Sequence, residues 1–294
     1  MSLPLNDPAW LERMYNNRAL VPDHMDYLQR WAKTSADVRA SQPCVLDVAY
    51  GTGVRETLDI FPAARTAPGG VPVLVFIHGG YWRALDKSDH SFIAPPFTQA
   101  GFCVVVVNYA LCPGTPEAPV TIPHIVRQME KAVAWVARSI TGHGGDPRRI
   151  TVAGHSAGGH LAAMMLTSVW SLIGNGLPDG LVRSALSISG VHDLEPLKHT
   201  PFLQDALHLT DQHVLQDSPS RLLAPEHGIL YCVAGGDESE EFRRQNGLVL
   251  QSWGEHSVPR CQILPGLHHF SILDTLAQPG KDLHHMAQNL LRMP

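Results

Sequence analysis

A buried strand that must turn at once into a small-residue helix is the tightest constraint this chain places on its own fold. Residues 150–161 read Ile-Thr-Val-Ala-Gly-His-Ser-Ala-Gly-Gly-His-Leu. The β-branched run calls for a strand, and the small residues after Ser156 call for a closely packed helix. Gly154 and Gly158 suit a turn so tight that a Cβ at either place would strike a neighbouring element. Ser156 is then expected at the tip, above the positive end of the helix that begins at Ala157. A chance Gly-Ser-Gly turn would require neither flank.

The rest of the chain repeats the same alternation. Strands are expected at Val71–Ile77, Phe102–Asn108, Ile150–Ala153, Ala185–Ser189, Ile229–Ala234 and Arg260–Leu264. Helices are expected at Ile122–Ile140, Ala157–Val169, Ser239–Trp253 and Gly280–Leu291. Runs such as Val104–Val107 suit strands covered on both faces, so the pattern implies a mostly parallel sheet with helices on both sides. A length of 294 residues fits one domain over 1–294. Residues 1–45 are expected to form a helical arm docked through Trp10, Tyr15, Tyr27 and Trp31. Residues 191–225 lack a clean period and are expected to hold a small helical insertion, or cap.

Composition narrows the partners. A net charge of −5 with no basic run gives no electrostatic reason to expect nucleic acid or an anionic membrane. No apolar stretch approaches the ~18 residues of a membrane span. The first ten residues show no secretory pattern. Five scattered cysteines form no Cys-x-x-Cys pair. They read as reduced packing residues, and the expected location is cytoplasmic. A homodimer is compatible with the sequence.

A second motif fits the first. His78-Gly79-Gly80-Tyr81-Trp82 follows directly on the strand Val71–Ile77, one strand–helix–strand unit before Ser156. Acyl transfer builds negative charge on a carbonyl oxygen, and backbone N–H groups must already point at it. Gly80, Tyr81 and Ala157 are the expected donors. A serine nucleophile also needs a histidine base, which follows an acid in chain order in sites with this elbow. His268 and His269, in the loop after the strand ending at Leu264, meet that requirement. The acid should follow the strand Ile229–Ala234, where Asp237 and Glu238 are adjacent candidates; Asp193 is a weaker third. Tyr81, Trp82 and His192 are expected near the site, suited to an aromatic or compact acyl group.

Together these residues resemble a known group. His78–Trp82, Gly154–His160 and Glu238-Ser-Glu-Glu-Phe-Arg-Arg-Gln245 are similar to the kynurenine formamidase (arylformamidase) group of α/β-hydrolases. Asn108-Tyr109-Ala-Leu111 also resembles related hormone-sensitive-lipase-like esterases. The similarity runs from about Tyr15 to Leu273. It implies the α/β-hydrolase fold and a serine hydrolase acting on a small carboxylic ester or an aryl formamide such as N-formylkynurenine. In that group the catalytic histidine immediately precedes a phenylalanine, which implies His269. The acid lies four residues before the phenylalanine of a Glu-Phe pair, which implies Glu238, with Asp237 as the alternative if the loop shifts. The mechanism so implied requires no metal or organic cofactor, and no His-Glu-x-x-His spacing is present. A non-catalytic binding protein on this fold would be expected to lose the serine, the glycines or the histidine, and this chain keeps them all.

Overall fold

The chain begins with helices that lie against the body. The computed structural model describes residues 3–293, so Met1, Ser2 and Pro294 lie outside the described residues. Helices α1 (Pro8–Tyr15), α2 (Asn17–Leu20) and α3 (His24–Ser41) make up the arm. The side chains of Asp7 and Asn16 accept from Ala9 and Ala19 N–H, capping α1 and α2. Trp10, Tyr15 and Trp31 are buried and Tyr27 is half-buried, so the aromatic residues are the docking points. Trp31 Nε1 donates to Asp274 Oδ1 at 2.6 Å, and Arg30 pairs with the same carboxylate.

Eight strands then form one sheet. They are β1 (Val45–Ala49), β2 (Thr57–Phe61), β3 (Val71–Ile77), β4 (Cys103–Val107), β5 (Gly145–His155), β6 (Val182–Ile188), β7 (Ile229–Gly235) and β8 (Arg260–Leu264). Their order is β1-β2-β4-β3-β5-β6-β7-β8. Six strands pair in parallel, from β4 through β8, while β1 and β2 run antiparallel at one edge. The six expected strands are all present, with β5 starting five residues earlier than the apolar run implies. The edge pair β1 and β2 was not legible. Both carry an aspartate, and β1 is largely exposed. Asp59 of β2 is nonetheless buried, with Lys87 Nζ 2.6 Å away.

Helices cover both faces. They are α4 (Ala94–Gln99), α5 (Ile122–Ser139), α6 (Ala157–Thr167), α7 (Trp170–Ile173), α8 (Glu195–Lys198), α9 (Pro201–Leu207), α10 (Asp211–Asp217), α11 (Glu240–Ser257), α12 (Ser271–Leu276) and α13 (Asp282–Leu291). Strand alternation divides the core: Val73, Val75 and Ile77 pack with α5 and α6, whereas Leu74 and Phe76 pack with α3, α4 and α13. The stretch 195–221 holds α8, α9, α10 and a short turn of 3-10 helix. Helix α11 runs four residues beyond the expected end at Trp253, past a break at Gly254 where φ is +76°. Among the described residues no helix is long and apolar enough to cross a membrane.

Candidate active site

The β5–α6 junction places Ser156 where the sequence requires it, and steric contact explains why. Ser156 itself sits at φ 57°, ψ −118°, a conformation that L-residues adopt only when their surroundings impose it. A Cβ on Gly154 would lie 2.0 Å from Gly158 O, and one on Gly158 would lie 2.0 Å from Ile77 O. The two glycines therefore let β5, α6 and the end of β3 meet. Ser156 N–H donates to Ile188 O at 2.8 Å, which ties the elbow to β6.

The loop after β3 turns beside this elbow. Gly80 has φ +99°, and a Cβ there would meet Ala84 O at 2.2 Å. Tyr81 follows at φ +50°. Among the described residues the N–H groups of Gly80, Tyr81 and Ala157 donate to no protein acceptor. The turn is held from below: Tyr109 Oη–H lies 2.9 Å from His78 O and 3.0 Å from Gly79 O. The Tyr109 ring stacks on His78 at 4.2 Å. Burial pushes the His78 imidazole down to about 3, so it packs as a neutral ring.

The acid and base candidates sit in different surroundings. His269, in the loop between β8 and α12, donates through Nδ1 to Glu238 Oε2 at 2.7 Å. Glu238 Oε1 accepts from Ser189 Oγ at 2.6 Å and from Gly235 N–H at 2.7 Å. Asp237 is exposed, and among the described residues its carboxylate has no hydrogen-bond or ion-pair partner. Asp193 is taken up by Arg221, at 3.0 Å. His268 turns the other way and its Nδ1 accepts from Ser271 N–H at 3.3 Å, at the start of α12. Ser189 was not singled out by the sequence, though Ser187-Ile-Ser-Gly at a strand end was the available signal.

Two expected pocket residues are elsewhere. Trp82 is completely buried and packs edge-to-face on His160 at 5.1 Å. Tyr81 and Trp82 are neighbours in a turn with positive φ, so when Tyr81 faces the cavity Trp82 faces the core. His192 is also fully buried: its Nε2 lies 2.9 Å from Ser187 Oγ and its Nδ1 lies 2.9 Å from Gln245 O. Burial lowers its pKa to about 4. Neither residue lines the site.

The cavity over Ser156 measures about 550 Å³ and also touches Gly80, Tyr81, His155 and His269. The arm supplies much of its wall through Tyr15, Asn17 and Trp31, which the sequence did not place there. Tyr81 Oη–H donates to Tyr15 O at 2.7 Å, and Asn17 Nδ2 donates to Tyr81 Oη at 3.3 Å. His155 Nε2 lies 2.8 Å from His269 O, and burial holds its imidazole well below the usual range. A larger hollow, about 770 Å³, opens beside Asp146 and Arg183 and contains none of these groups.

Comparison with known proteins decides the family. The chain is 30% identical to a kynurenine formamidase of Salmo salar over 97% of its own length and 92% of that protein. It belongs to the kynurenine formamidase group of α/β-hydrolases. A kynurenine formamidase of Drosophila melanogaster is 27% identical, covering 82% of this chain and 79% of that one. The BD-FAE family model matches residues 58–201. A solved structure from Silicibacter sp. TM1040, provisionally described as a thioesterase, superposes with a TM-score of 0.81 at 31% identity, covering 93% of this chain and 97% of that one. Esterase B of Lactobacillus rhamnosis shares the fold alone, at a TM-score of 0.68 and 18% identity over 95% of each chain. The protein is a hydrolase of esters or formamides.

Proposed function

We propose that the protein cleaves an aryl formamide such as N-formylkynurenine, or a small carboxylic ester, through an acyl-enzyme on Ser156. The observation that carries this reading is the Glu238–His269 hydrogen bond beside a cavity that also exposes Ser156. His269 Nε2 takes the Ser156 Oγ proton as the oxygen attacks the carbonyl carbon. Glu238 fixes the tautomer through Nδ1–H and stabilises the imidazolium that forms. The free N–H groups of Gly80, Tyr81 and Ala157 suit the developing oxyanion. The imidazolium then protonates the leaving amine or alcohol, and water, activated by the same histidine, releases formate or another acid. Neither metal nor organic cofactor enters these steps.

The whole chain reads as one α/β-hydrolase domain, with residues 1–45 as an arm and 191–225 as a helical insertion. Five free cysteines support a reducing, cytoplasmic location. The test is direct. Ser156→Ala is expected to abolish p-nitrophenyl acetate hydrolysis, and persistent turnover would remove Ser156 from its role. A side-by-side kcat/KM for N-formylkynurenine and short acyl esters then separates the formamidase from a general carboxylesterase; a large preference for the formamide decides for the former.

A further inference from the structure

The cavity over Ser156 is also lined by three charged side chains that the reaction does not use, Glu12, Arg18 and Arg83. Glu12 of α1 and Arg18 of α2 both line it, one half-buried and one exposed. Among the described residues neither side chain makes an ion pair or hydrogen bond with protein. Arg83, also on the wall, differs: its Nη1 donates to Phe202 O at 2.7 Å. The turn between Glu12 and Arg18 is fixed relative to the elbow. Asn16 caps α2, and the Tyr15 carbonyl and Asn17 side chain both hold the Tyr81 hydroxyl. Trp31, Leu28 and Phe270 give the same cavity an apolar wall.

A ligand that uses all of this has an aromatic body and a head group of both charges. We propose that Glu12 and Arg18 are specificity residues that bind the α-ammonium and α-carboxylate of an aryl amino-acid substrate while its reacting carbonyl lies at Ser156. The proposal rests on Ser156 being the nucleophile of this cavity. Opposite charges on either side of one short turn suit a zwitterion, and they give a neutral acyl ester nothing to bind. Both groups are near solvent, so each contact is screened and contributes about a tenfold preference at most.

The probes are L-kynurenine and 2-aminoacetophenone, which share the aromatic ketone and differ in the amino-acid head group. Each is tested as a competitive inhibitor of p-nitrophenyl acetate hydrolysis. The wild-type protein is expected to favour L-kynurenine by about tenfold or more, and the preference should shrink as salt is raised. Glu12→Gln and Arg18→Gln should each cut that preference by about five- to tenfold. A wild-type protein with no preference, or with no inhibition by either compound, overturns the proposal. So does a preference that survives both substitutions. Failure of the formamidase reading is seen separately, as absent turnover of N-formylkynurenine while the inhibitor preference persists.

Discussion

Glu238 and Asp237 are neighbours with opposite surroundings, and the difference predicts opposite outcomes of mutation. Glu238 is 5% exposed and accepts three hydrogen bonds, from Ser189, Gly235 and His269. The amide of Glu238→Gln keeps the shape but must present an N–H where one of these donors already points. By analogy with an asparagine in place of a triad aspartate, kcat is expected to fall about 10³–10⁴-fold. Asp237→Asn touches only solvent and should stay within about twofold, on the usual scale for surface changes. Steady-state assays of the two variants decide it; the reverse ranking moves the acid by one position. The sequence alone left this pair open, because adjacency does not say which side chain a loop turns inward. Ser156, the Gly80–Tyr81 turn and the His-His-Phe loop were legible from their place after strands. Trp82 and His192 were misplaced for a related reason: side-chain direction in a turn or loop depends on the backbone angles, which residue type alone does not give.

At the scale of elements, the elbow is a three-way contact among β3, β5 and α6 rather than a local turn. Gly154→Ala or Gly158→Ala would force a methyl group into backbone that cannot withdraw, the nearest atoms being carbonyl groups of Gly158 and Ile77. Each variant is expected to lose several kcal/mol of stability, about 3 or more, or to fail to fold. Gly142→Ala is the control, since a Cβ there meets nothing within 4 Å. It should be neutral or gain about 0.5 kcal/mol. Urea midpoints of the three variants give the comparison, and a tolerated Gly158→Ala would contradict the packing account. Elements of this kind were readable because the buried strands are continuous apolar runs. The edge pair β1 and β2 was not, because Asp47 and Asp59 break the pattern and the latter is held by Asp47 N–H and by distant Lys87. The arm's helices were legible as amphipathic segments, but their place over Ser156 was not. It depends on long-range bonds such as Tyr15 Oη to Glu241 Oε1 at 2.6 Å, which no local pattern records.

At the scale of the whole molecule, one buried carboxyl should leave its mark on stability against pH. Asp217 ends α10, and its main-chain carbonyl accepts from His160 Nε2 at 2.6 Å. Among the described residues its buried Oδ2 has no partner. Burial pushes the carboxyl up to about 7 from 3.8; nearby Glu130 adds to the rise, and Arg127 opposes it. The folded state therefore holds a proton that the unfolded state has already lost between about pH 4 and pH 7. Stability contributed by this group is present in full below that window and is lost as pH rises through it, at up to about 1.4 kcal/mol per pH unit. Carboxylates such as Asp86 and Asp146, lowered by their hydrogen-bond donors, act in the opposite sense and titrate below the window. Asp217→Asn fixes the neutral form. It is expected to leave the urea midpoint at pH 4 nearly unchanged and to raise stability at pH 8 by up to about 4 kcal/mol. An equal effect at both pH values would mean that Asp217 acts through shape rather than through its proton.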